Sequence, residues 1–162
     1  NDDVFDAALA QLVLPFVSDA DRVAREMRRV VREGGVVAAC MWLDGASMQM
    51  TDLFWEAAST IEPALRDREG SMPYRKQGEI AALWKRAGLL NVQEASLEVR
   101  ATYRDFDDFW EPLLTAAGPI GAYMASADDE RRAALREACR GRLGNPQQPF
   151  ELTGRACAVC GS

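Results

Sequence analysis

Cys157-x-x-Cys160 is the spacing in this chain that most directly suggests chemistry, as half of a zinc site or as a redox dithiol. A structural zinc site needs further ligands, and Cys40 and Cys139 form no second close pair. The sequence has no histidine, which removes the commonest general base and the commonest metal ligand. Serine-triad chemistry of the usual kind and histidine-based zinc sites are therefore excluded within these residues. Cys157 and Cys160 also lie in a segment that alternates like a strand, where residues three apart face opposite sides. They are expected to be reduced or buried thiols, and no metal site is predicted.

Other chemistry-bearing residues fall into two groups. Asp44 and Glu56 are carboxylates of a kind too common on surfaces to single out as bases. Met48, Met50, Phe54, Trp55, Met72, Tyr74, Trp110 and Tyr123 offer adaptable apolar contact area, which suits an apolar or planar ligand. Filling the space between helices and sheet is the alternative use of the same residues.

The net charge of −6, from 19 basic and 25 acidic residues, argues against non-specific nucleic-acid binding. Arg22, Arg25, Arg28, Arg29 and Arg32 cluster, but Asp19, Asp21, Glu26 and Glu33 stand among them. A solvated mixed-charge helix face is expected. No run approaches the ~18 apolar residues of a membrane span, and no signal-peptide pattern is visible. A cytoplasmic protein without membrane contact is expected. The chain opens on Asn1 and not on Met.

The elements that position these groups are legible from periodicity. Val4 to Ala10 reads as a strand whose continuous apolar run suits burial on both faces. Asp19 caps a helix over Arg22 to Val31, with Val23, Met27, Val30 and Val31 as its apolar stripe. Gly34-Gly35 is expected to end that helix. Val36 to Trp42 is a second buried strand, and the connection is long enough for a right-handed parallel crossover. Ser47 to Arg66 reads as helical and Arg66 to Lys76 as a loop. Gly78 to Ala87 forms a short helix with Ile80, Leu83 and Trp84 on one face.

Asn91 to Tyr103 alternates cleanly, with Ala95, Leu97, Val99, Ala101 and Tyr103 on one side. A half-buried edge or near-edge strand is expected there. Asp105 caps a helix carrying Phe106, Phe109 and Trp110, which Pro112 distorts. Gly118-Pro119 breaks the pattern, and Asp128 caps a further helix carrying Leu135 and Cys139. Phe150 to Cys160 closes the chain as a strand. One domain over residues 1–162 is expected, with helical inserts over about 45–75 and 105–145.

This order of elements resembles the C-terminal half of a class I S-adenosylmethionine (SAM)-dependent methyltransferase of the ubiquinone/menaquinone-biosynthesis, small-molecule type. The residues that carry the likeness are Phe5-Asp6, Gln11, Phe16, Glu26-Met27-Arg28-Arg29-Val30, Gly34-Gly35, Trp42, and Ala87-Gly88-Leu89 followed by Val92. The resemblance implies a truncated Rossmann-like α/β fold. Its mixed four-stranded sheet would hold the fourth, fifth, seventh and sixth strands of the family, in that order. It also implies SAM as cofactor, with Gln11 and Leu12 beside it. Phe16, Trp42, Met48, Phe54, Trp55, Tyr74 and Trp110 would then line the substrate side. Without the resemblance, Gln11 and Phe16 read as a strand cap and a staple for the next helix.

The family binds SAM through a glycine-rich turn after its first strand and an acid ending its second. No G-x-G stands anywhere in this sequence. The chain alone is therefore expected to bind no SAM with ordinary affinity and to be non-catalytic. A non-enzymatic homodimeric module that binds an apolar ligand or a protein is the alternative. In either case Val4 to Ala10 is expected to be an open apolar edge, and one sheet face is expected to lack its covering helices. A homodimer through that edge or that face follows.

Overall fold

The computed structural model describes residues 2–44, 48–65, 72–115 and 118–162. The expected helix start at Ser47 and the glycine at 70 in the expected loop lie outside these. The chain divides into two compact units: Asn1–Ser47 with Ser71–Glu98 and Arg155–Ser162, and Met48–Gly70 with Val99–Gly154.

The first unit opens with β1 (Phe5–Gln11) and α1 (Ala20–Val30), followed by β2 (Val31–Trp42). The Asp19 side chain accepts from the Arg22 N–H at 2.8 Å and caps α1, as its position predicts. The stripe that α1 buries is shifted from the expected one: Ala20 and Ala24 are its buried residues, with Met27 and Val30 packed beside them. Small residues at 20 and 24 let the helix lie close to the sheet.

Gly34-Gly35 does not end α1. The helix passes directly into extended backbone at Val31, and both glycines lie inside β2. Its last carbonyls are satisfied from outside: Asp3 N–H donates to Arg29 O and Val4 N–H to Val30 O. β1 pairs parallel with β2, Phe5 against Val31 and then Ala7 against Val36, so the ladder is irregular there. Gly34, at φ 75°, supplies the left-handed residue that this irregularity needs.

α3 (Glu79–Arg86) and part of β3 (Gln93–Tyr103) follow, with α2 (Gln49–Ile61) before them in the chain. β4 (Phe150–Gly161) pairs antiparallel with β2, and the sheet order is β1-β2-β4-β3. That is the order expected for the fourth, fifth, seventh and sixth strands of a Rossmann-like methyltransferase. α1 and α3 share one apolar core with Ala10, Val37, Ala39, Met41, Cys157 and Val159 of the sheet. Trp84 anchors it, fully buried, with Nε1–H donating to Val37 O at 3.2 Å.

The opposite sheet side is open. Leu9 is 77% exposed and Phe5 53%, so β1 is covered on one face and not on both. β3 differs further from expectation: apart from Glu94 and Tyr103 at its two ends, it is exposed along its whole length. The alternation in its sequence is real, but among the described residues no packing element takes up its apolar side between Ala95 and Ala101.

The second unit is a helical cluster of α2, α4 (Phe106–Leu114), α5 (Gly118–Ser126) and α6 (Asp129–Arg142). Asp105 and Asp128 cap α4 and α6 through the N–H groups of Asp108 and Arg131. Pro112 lies inside α4. α5 has no counterpart in the sequence reading, because Gly118-Pro119 starts it as well as breaking what precedes it; proline is well placed in a first helical turn. Phe54, Phe109, Leu113, Met124, Leu135 and Cys139 are each at most 2% exposed and form the centre of this unit.

Candidate functional site at the carboxyl ends of the first two strands

Parallel strands place their carboxyl ends together, and loops there are free to carry binding groups. In the first unit these ends are Gln11-Leu12 of β1 and Trp42 to Asp44 of β2. Gln11 pairs in register with Cys40, and the Leu12 N–H donates to Cys40 O at 3.0 Å. Leu12 then adopts φ 55°, which turns the chain off the sheet into a short 3₁₀ turn, Leu14–Phe16.

Period-two alternation sends the side chains of Leu9, Gln11, Ala38, Cys40, Ala158 and Cys160 to the open sheet side. With Gln93 and Ala95 they line an apolar trough of about 360 Å³. Gln11 is its polar group at the strand end. Leu12 is partly buried and packs against the core. Phe16 is 70% exposed, so it does not staple α1. Trp42 is half-buried at the end of β2, opposite Ala156.

Just beyond Trp42 stands a pair that the sequence reading passed over. Arg75 Nε lies 2.9 Å from Asp44 Oδ1, an ion pair by distance, with the two side chains 19% and 25% exposed. The Asp44 N–H also donates to Arg75 O at 2.8 Å. This double link fixes the loop after β2 to the segment carrying Tyr74, which is partly buried at φ 65°. The only signal for it in the sequence is an acid directly after an apolar strand, which many surface turns share.

The remaining candidates belong to the second unit. Phe54 is fully buried and Trp110 4% exposed. Phe54 meets Trp55 and Tyr123 edge-on at 5.1 and 6.1 Å, and Trp110 stacks on Phe106 at 6.1 Å. Trp55 is half-buried at the margin of that cluster, and Met48 bridges to Gly154. The structure thus brings Gln11, Leu12, Phe16 and Trp42 to one pair of strand ends. It places Met48, Phe54, Trp55 and Trp110 in the helical unit.

The cysteines divide as alternation requires. Cys157 faces the core, and burial together with a hydrogen bond to Glu94 pushes its thiol up to about 12. Cys160 faces the trough. Burial likewise raises Cys139 to about 12. Cys139 and Cys157 are protonated at neutral pH and are poor nucleophiles or ligands. No metal-capable group of three or more His, Cys, Asp or Glu stands among the described residues.

For SAM, these residues offer one edge of a site and not a cradle. Gln11 presents an amide, Leu12 commits its side chain to core packing, and no glycine-rich turn stands in the sequence. The residues present do not fit the group by themselves.

The methyltransferase domain family profile matches residues 1–39, which span β1, α1 and most of β2. No curated protein matches the sequence. Among solved structures, the chain is similar to a candidate type II methyltransferase from Anaeromyxobacter dehalogenans, with TM-score 0.59 and 21% identity, over 99% of this chain and 65% of that one. It is also similar to the YcgJ protein of Bacillus subtilis, with TM-score 0.50 and 16% identity, over 99% of this chain and 64% of that one. The chain therefore spans just under two thirds of the length of these structures. Among the described residues no helix is long and apolar enough to cross a membrane. With the sheet order and strand directions above, the chain has a Rossmann-like α/β fold similar to that of these methyltransferase structures.

Proposed function

We propose that this chain supplies the strand ends and helical unit of a small-molecule, SAM-dependent methyltransferase, and that it does not transfer methyl groups on its own. The order β1-β2-β4-β3, whose first strand and most of its second lie in the segment that matches the methyltransferase domain family, is the observation that supports the relationship. Methyl transfer requires alignment of two bound molecules more than acid–base help, so the lack of histidine is no obstacle to it. The obstacle is cofactor binding, because the glycine turn and ribose-binding acid must come from polypeptide beyond these 162 residues. In the assembled enzyme Gln11 and Leu12 would border the cofactor, with Phe16, Trp42 and Tyr74 of the same unit toward the substrate. A thermal shift with S-adenosylhomocysteine tests this: an unchanged Tm for the chain alone is expected, and a rise of several degrees would contradict it.

A second reading has its own observation. The open apolar trough and the exposed β1 edge suit a non-enzymatic module that binds an apolar ligand or pairs with a second copy. Leu9→Lys places a charge in the middle of that edge and face. Under this reading it abolishes dimer formation in light scattering; an unchanged dimer sinks pairing through β1.

A further inference from the structure

β3 ends the sheet order, and every residue from Ala95 to Thr102 is exposed, with Leu97 and Val99 at 46% and 48%. A long exposed strand edge carrying apolar side chains is a template for another strand. The sequence of this one says which strand. From Ser96 to Thr102 it reads SLEVRAT, which is complementary to its own reversal.

Consider a second copy laid antiparallel with Val99 opposite the partner's Val99. Glu98 then stands opposite the partner's Arg100, and Arg100 opposite the partner's Glu98. Leu97 meets the partner's Ala101, and Ser96 meets the partner's Thr102. Alternation puts all the apolar pairs on one face and all the polar and charged pairs on the other.

Neighbouring registers fail. A shift that brings Glu98 opposite the partner's Glu98 sets like charges together, as does one that centres on Arg100. A shift of the opposite parity pairs valine with glutamate on one face. Centring on Leu97 or on Ala101 also avoids like charges, but it pairs Arg100 with the partner's Glu94, which already accepts from the Gly78 N–H, or Glu98 with the partner's Arg104, which lies past the end of β3 and is paired with Asp108. The register about Val99 matches charge and burial with exposed residues of the strand alone. Both charged side chains already interact within their own chain, and the pairing exchanges those contacts for interchain ones.

We infer that β3 is a self-recognition edge, through which two copies of this chain pair antiparallel about Val99 into one continuous sheet. The contact is isologous, so each copy contributes the same residues. It uses a different edge from β1 and depends on neither functional reading above.

Charge exchange tests it. Sedimentation equilibrium of the full chain should give a dimer. Glu98→Arg sets arginine against arginine twice and should weaken the dimer by about tenfold or more. Adding Arg100→Glu to that variant restores two opposite-charge pairs and should restore the dimer. Circular dichroism of each variant checks the fold, which exposed substitutions leave intact. A wild-type monomer, a dimer unmoved by Glu98→Arg, or a loss that the double exchange does not repair would each overturn the inference. In that last case the charges serve only to keep the edge solvated. A dimer broken by Leu9→Lys but untouched by the exchange would assign pairing to β1 instead.

Discussion

Gly35 lies against Asp6: a Cβ on Gly35 would stand 2.7 Å from the Asp6 carbonyl oxygen and collide with the Val31 side chain. The closeness comes from the irregular ladder between β1 and β2, where Phe5 faces Val31 and Ala7 faces Val36. Gly35→Ala should therefore cost about 1–3 kcal/mol, the range for forced overpacking. Gly34→Ala meets open space but keeps φ 75°, and should cost about 1–2 kcal/mol from backbone strain. Urea unfolding of both variants measures this, and the larger loss is expected at Gly35.

Much of this unit was legible in the sequence. The Asp19 cap, the two apolar strands and the helix carrying Trp84 follow from local periodicity and capping chemistry. The role of Gly34-Gly35 was not, because a glycine pair after a helical stripe signals a helix end equally well. The choice between the readings depends on Val31 pairing with Phe5, 26 residues away along the chain, and no local pattern records that. β3 shows the same limit: its alternation predicts an apolar face, but exposure depends on what packs there. Asp44 was visible as a residue, whereas its partner Arg75 lies across a long insertion.

Phe16 and Phe54 were both placed on the substrate side by resemblance, and the structure gives them opposite burial. Phe54 is fully buried, so Phe54→Ala should cost about 3–5 kcal/mol. Phe16 is 70% exposed, so Phe16→Ala should change stability by about 0.5 kcal/mol or less. Chemical denaturation separates them. A Phe16 variant of unchanged stability then becomes the clean probe for ligand contact at the strand ends.

The four thiols should react in two classes. Cys40 and Cys160 are partly exposed on the trough side, while Cys139 and Cys157 are buried. Brief alkylation of the native chain followed by mass spectrometry should label the first two and spare the others until unfolding. Labelling of Cys157 before Cys160 would show that β4 lies in the other register.

Stability should fall on the alkaline side. Burial raises Cys139 from an ordinary value near 9.0 to about 12, so the unfolded chain releases that proton first as pH rises. The contribution is present in full below about pH 9 and is lost progressively toward about pH 12. Melting temperatures across this window should decline, and Cys139→Ala should flatten the decline while lowering stability at pH 7 through the cavity it leaves.

We hold that this methyltransferase-like fold carries no cofactor site of its own. Isothermal titration calorimetry of the full 162-residue chain with SAM addresses it most directly. No saturable heat at micromolar concentrations is the result predicted. Saturable one-to-one binding in that range would contradict the account and make the chain a cofactor-binding domain in its own right.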